Sequence, residues 1–109
     1  MRLFNPKQLV QSAITASDVS IYTVPADTKA LVKDFMICNT TGGALTVNVH
    51  AIPSGGSVGT GNALLYAYSI AANTTYHWTG TLVIETGGAL GVKGSGLGLT
   101  ITVSGAEAL

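Results

Sequence analysis

The chain has 109 residues, 47% apolar and only 9% charged, and its five basic and five acidic side chains give a formal net charge of zero. Globular domains average about 25% charged residues. Five scattered cations form neither the basic patch a nucleic-acid binder needs nor the polybasic segment of a membrane-surface binder, and one cysteine rules out an intrachain disulfide framework.

A mass of 11.0 kDa fits one domain, which on folding should expose about 5,600 Å² and bury about 65% of its unfolded surface, enough for a core without staples. Near-zero net charge favours association, so an oligomer or a larger assembly is expected to cover part of the exterior.

In chain order, residues 1–8, with Phe4 and Pro6, read as an extended N-terminal arm that frays unless a neighbour holds it, and residues 9–109 as the folded domain. The stretch Met1–Asp18 holds two cations but no apolar run of signal-peptide length. No segment approaches the roughly 18 apolar residues of a membrane span. Synthesis and folding in a cytoplasm are the expectation.

From there the hydrophobic period is two, the mark of strands. Strands are predicted at 9–14, 19–24, 28–39, 44–52, 63–70, 74–84, 88–93 and 97–104. In Leu45–Ala51 the apolar side chains fall on odd positions, and Thr46, Asn48 and His50 form a polar face. In the last strand Leu97, Leu99, Ile101 and Val103 oppose Gly98, Thr100, Thr102 and Ser104. Glycine clusters fall between the runs, where turns are needed. About eight short antiparallel strands imply an all-β fold, a single antiparallel β-sandwich of jelly-roll type.

The letters TGGAL occur twice, at Thr41–Leu45 and Thr86–Leu90, and Val24-Pro25-Ala26-Asp27-Thr28 is echoed by Ile70-Ala71-Ala72-Asn73-Thr74. Asp27 and Asn73 are suited to tight turns, and each Gly-Gly pair to the positive φ values of a short hairpin loop. Thr28 to Thr41 is one residue longer than Thr74 to Thr86, which fits a β-bulge in one long strand. Two pseudo-symmetric halves would explain the echo; so would convergence on common turn letters. Between the halves, Pro53–Asn62 reads as a flexible loop.

The ionisable side chains mark no chemistry. Asp18, Asp27, Asp34, Glu85 and Glu107 are far apart. Asp34, inside the run Leu31–Cys38, is expected to pair with Lys33 or Lys29 or to lie on an outer face. Zinc needs about four ligands, and His50, His77 and the distant Cys38 support it poorly. His50 reads as a solvated or interface residue on a polar face, Cys38 as a small buried hydrophobe. The Gly-rich stretch Ser54–Gly61 lacks the Gly-Lys-Ser/Thr ending of a phosphate loop, and Gly94–Gly98 leads into a strand, not a helix. Asn39-Thr-Thr and Asn73-Thr-Thr read as turns. No catalytic, metal or cofactor site is expected, and no enzymatic activity.

The aromatic residues are the best binding candidates. By period two, Tyr66 and Tyr68 share one face of their strand, Tyr76 and Trp78 one face of the next, and a hairpin would make them a ladder. Leu64 and Ile70 share parity with the tyrosines, which favours core packing. The other reading is a contact surface: Phe4, Tyr66, Tyr68, Tyr76 and Trp78 are the candidate interface residues.

At Ile21–Val32, followed by Ile37–Thr41, the chain resembles a group of small tailed-bacteriophage virion proteins that carry a Tyr-x-Val-Pro-Ala-Gly-Thr turn and then a strand ending in an Asn-Thr pair. The resemblance continues through Val49–Gly56, Asn62–Tyr66 and Ile70–Thr74 to Gly87–Gly88, about residues 20–104. Asp27 departs from the glycine common at its position, which bears on the turn type alone. The resemblance implies a non-enzymatic structural component of a bacteriophage virion, oligomeric and most readily trimeric. It would be made in the bacterial host cytoplasm and bind and stabilise a capsid surface (decoration), or sit at the neck or tail. Its partners would be copies of itself and a major capsid or neck/tail protein, with no nucleic acid and no membrane. The alternative is a carbohydrate-binding β-sandwich that stacks sugars on the aromatic patch.

Overall fold

The computed structural model describes residues 4–108, and side chains from residue 5 onward. Eight strands account for most of it: β1 Phe4–Ile14, β2 Val19–Thr23, β3 Lys29–Asn39, β4 Leu45–Ile52, β5 Ala63–Ile70, β6 Thr75–Ile84, β7 Ala89–Gly94 and β8 Leu99–Ala108. A single 3-10 turn at Thr60–Asn62 precedes β5. No helix among the described residues is long and apolar enough to cross a membrane.

The strands form two four-stranded sheets, β1-β8-β3-β6 and β2-β7-β4-β5, and every pairing is antiparallel. The first strand pairs with the eighth, the second with the seventh, the third with the sixth and the fourth with the fifth. This is the nesting of one long hairpin rolled into two facing sheets, a jelly roll. Inward side chains from both sheets, among them Phe35, Ile37, Val47, Val49, Val92, Ile101 and Val103, build one core. The 5568 Å² of exposed surface matches the area expected for a folded chain of this mass.

Sheet β1-β8-β3-β6 is crossed by a line of irregularities. Leu9 is an extra residue in β1 between the pairs Gln8–Ser104 and Val10–Val103. Lys33 is one in β3, where Val32 faces Gly105 and Asp34 faces Ser104. The bulge at Lys33 changes the parity of β3: Ala30 and Val32 point inward before it, Phe35, Ile37 and Asn39 after it. Gly105 sits where the chains close up, and a Cβ there would lie 1.8 Å from the carbonyl oxygen of Leu31.

The first strand starts earlier than its sequence implies. Residues 4–8, read as an arm, pair with residues 104–108 of β8, and residues 1–3 lie outside the described residues. Pro6 misleads here: β1 is an edge strand, where alternate N–H groups face away from the sheet and proline is tolerated.

The repeated letters divide into two conformations. Asp27 (φ 57°), Asn73 (φ 56°) and Gly87 (φ 81°) all take the left-handed conformation. Asp27 and Asn73 thus make equivalent turns, and the second TGGAL closes a tight turn through Gly88 N–H donating to Glu85 O at 2.9 Å. The first TGGAL differs: Gly42 and Gly43 have no positive φ, contrary to the sequence expectation. Its bend is shaped by the Asn39 side chain, which accepts from Thr41 N (2.9 Å) and Thr41 Oγ1 (2.7 Å) and donates to Gly43 O (2.9 Å). Nor are the long strands that precede the two copies equivalent: β3 lies inside its sheet, and β6 is an edge.

Candidate functional site

The outer face of sheet β2-β7-β4-β5 is shaped by a bulge in β5. Val47 faces Tyr68 and Val49 faces Leu65, so β5 places one residue more than β4 in this interval. The extra residue makes Ala67 left-handed at φ 49°, a conformation that costs an L-residue about 1–2 kcal/mol. It is held by its own N–H, which donates to Asn48 Oδ1 at 2.7 Å.

The expected aromatic ladder does not form, because β5 and β6 are edge strands of different sheets and not a paired hairpin, and the bulge separates the two tyrosines of β5. Tyr66 and Tyr68 do not share a face. Tyr68 pairs with the inward Val47 and meets Tyr76 at the rim between β5 and β6, with ring centroids 4.6 Å apart and tilted by 52°. Tyr66 is turned to the outside, 62% exposed. Trp78 stacks on Phe35 at 5.0 Å and 11°, and both Trp78 and Tyr76 pack against the core. Phe4 opens β1, and its side chain lies outside what is described.

Around Tyr66 the surface holds two adjoining depressions, of about 270 Å³ and about 210 Å³, which share Asn48, Tyr66 and Lys93. One extends to Thr46 and Ser95, where Ser95 Oγ accepts from Thr46 N at 3.0 Å. The other extends to Asp18, His50 and the loop at Val58–Thr60. Among the described residues, neither Asp18 nor Lys93 is in an ion pair.

The loop wall is braced by Asn62. Its Oδ1 accepts from Gly59 N at 3.3 Å and contacts His50 Nδ1 at 2.9 Å, while its Nδ2 donates to Ser57 O at 2.9 Å. Because that oxygen can only accept, His50 Nδ1 carries the proton. His50 is therefore not the solvated residue its alternation with Thr46 and Asn48 implies. It is 2% exposed, because the loop folds over it.

The bulge at Lys33 decides two other expectations: of the two places open to Asp34 it selects the outer face, on the parity of the exposed Met36, and it takes Cys38 out of the core. Asp34 pairs with neither lysine: its Oδ2 lies 3.6 Å from His77 Nε2 on β6, and its Oδ1 is buried without a hydrogen-bond partner. Lys33 Nζ donates instead to Thr81 Oγ1 at 2.9 Å, and Lys29 pairs with Glu85 at 3.5 Å. Cys38 follows the outward parity of the exposed Met36 and is half-buried. Among the described residues no group of three or more His, Cys, Asp or Glu could hold a metal ion.

Glu107 is a residue that sequence reasoning passed over. The Tyr22 hydroxyl on β2 donates to its Oε2, and Lys7 Nζ lies 3.2 Å from its Oε1, so the cluster ties one sheet to the other. The Tyr22 hydrogen bond, with help from Lys7, holds the Glu107 carboxyl below the usual range. Burial, and then Glu107 itself, push the Tyr22 phenol well above its ordinary value.

The fold defines a class: the eight-stranded, double-sheet jelly roll, an architecture shared by viral capsid, lectin and cupin domains. No protein-family model matches this chain, and no curated protein matches it in sequence. Among solved structures it is similar to a chain of the T13 IBDV viral particle, with a TM-score of 0.52 and 14% identity over 99% of this chain and 30% of that one. It is also similar to the VP2 subviral particle of infectious bursal disease virus, with a TM-score of 0.49 and 14% identity over 99% of this chain and 32% of that one. The chain thus spans about a third of the length of these neighbours, and at such identities the likeness is one of fold.

Proposed function

We propose that this protein is a non-enzymatic structural component of a bacteriophage virion that self-associates and stabilises a shell. The observation that carries the reading is the match in fold of nearly the whole chain, at a TM-score of 0.52, to part of a chain of the T13 IBDV viral particle. The resemblance of residues 20–104 to small tailed-phage virion proteins supplies the bacteriophage assignment. Between a capsid-surface role and one at the neck or tail, decoration of the capsid is the preferred reading.

The mechanism is mechanical. A rigid sandwich presents few charges and several exposed apolar side chains, including Val19, Met36, Val83 and Leu97. Repeated over a shell, many small interfaces sum to a large stabilisation without chemistry. In this reading the rim between β5 and β6, marked by Tyr68 and Tyr76, is the contact between copies, and the capsid or neck/tail protein is the second partner.

Light scattering on a size-exclusion column, over a range of concentrations, tests the self-association. A stable multiple of 11.0 kDa, a trimer foremost, is the expected result; a monomer at every concentration would refute it. Tyr68→Ala is expected to weaken the assembly at least about 30-fold, the effect of a central aromatic contact worth about 2 kcal/mol, while leaving the β-sheet circular dichroism unchanged.

A further inference from the structure

The geometry points to a carbohydrate-binding groove on the outer face of sheet β2-β7-β4-β5, with Tyr66 as the platform on which one pyranose ring lies. Strict alternation would have placed Tyr66 on the same face as Tyr68, at the sandwich rim. The bulge at Ala67 puts it outside instead; Ala67 itself takes a left-handed conformation that glycine would adopt more readily and that Asn48 holds by a 2.7 Å bond. Strain of this kind survives only where its surroundings over-determine it, and it gathers at binding sites. Its local product is an exposed aromatic face set between polar groups.

Those groups suit a hydroxylated, uncharged ligand. A pyranose presents one face of C–H bonds, which an aromatic ring covers, and a rim of hydroxyls that both donate and accept. The groove around Tyr66 is lined by Asn48, Thr46, Lys93 and Asp18, residues that carry an amide, a hydroxyl, an ammonium and a carboxylate. A few convergent polar groups beside an apolar surface are the usual makings of a small-molecule site. One cation and one anion in the same groove cancel, so an anionic ligand gains little. The walls are set before binding, by the Asn48–Ala67 bond on one side and the Asn62–His50 brace on the other, which lowers the cost of ordering on association. This inference is independent of the shell role: a virion protein that touches a glycosylated surface and a free lectin would use the groove alike.

The test is a titration of the full ¹⁵N-labelled chain, followed by amide chemical shifts, with methyl β-glucoside, methyl β-galactoside, methyl α-mannoside and N-acetylglucosamine. At least one is expected to move the amides of Asn48, Ala67, Lys93 and Ser95 along saturable paths at millimolar concentration, leaving those of β8 in place. Tyr66→Ala should abolish the shifts with the rest of the spectrum unchanged, and Tyr66→Trp should keep them. Four sugars that leave these amides unmoved, or a Tyr66→Ala variant that binds as well as the native chain, would overturn the proposal. So would movement of the same amides on raising protein concentration alone, since the groove would then be a contact between copies.

Discussion

Asn39 is fully buried, and its amide uses its hydrogen-bonding sites without remainder. Beyond the bonds that shape the Thr41–Gly43 bend, Nδ2 donates to Ile70 O at 3.0 Å, so one side chain joins the ends of β3 and β5 to the bend before β4. Asn39→Ala strips the partners from buried polar groups that each cost about 1–3 kcal/mol when left unpaired. A loss of about 3 kcal/mol is expected, seen in urea as a lower midpoint with an unchanged slope. Glycines allow a paired comparison. Gly105→Ala should cost at least about 3 kcal/mol, the upper end of ordinary overpacking, since the clash is with the Leu31 backbone. Gly42→Ala meets nothing within 4 Å and no positive φ; it should be neutral or stabilise by up to about 1 kcal/mol through the unfolded chain. Thermal melts of the two variants check both. TGGAL therefore means different things at its two sites, and no reading of the letters alone separates them: the first is decided by a buried amide, the second by the φ of Gly87.

At the scale of elements, the strands were legible because burial on one face forces alternation. Leu45–Ile52, Ala63–Ile70 and Ala89–Gly94 lie within a residue of where the pattern puts them. What alternation cannot show is a bulge, which inserts a residue without changing composition and reverses the parity beyond it. Two misreadings share that cause: Tyr66 and Tyr68 on one face, and Cys38 in the core; for Asp34 the bulge selects the outer face over a lysine partner. His50 fails differently, since its polar face was read correctly and the covering loop was not foreseeable from a Gly/Ser composition. The groove was half legible: Thr46 and Asn48 announce a polar face, but Lys93, Ser95 and Asp18 join it only through sheet order. Leu97 also breaks its alternation, lying in the turn before β8 and 75% exposed.

For the whole molecule, the two sheets are joined by more than their apolar faces. The Tyr22–Glu107–Lys7 cluster links them at the end of the sandwich that holds the β1–β8 termini. Because the folded state holds the Glu107 carboxyl below its ordinary value, the folded protein takes up that proton less readily than the unfolded chain. The cluster's stabilisation is complete above the unfolded carboxyl value of about 4.5 and declines as pH falls through the lower folded value. Melting temperatures of the native chain and Glu107→Gln, compared from pH 7 downward, should differ most at neutral pH and converge below about 4.5. Tyr22→Phe should shrink the pH-dependent part, because the phenol is the largest cause of the shift.

The nested strand order also frames the proposed role, since a rigid jelly roll with little charge is suited to adding interface to a shell. The most direct test is to purify virus particles by density gradient from a lysing culture that produces this protein and to measure how much bands with them. The account predicts many copies per particle, retained through a high-salt wash because a chain with so few charged residues depends little on contacts that salt screens. Protein found only in the soluble fraction of the lysate, with none on the banded particles, would contradict it.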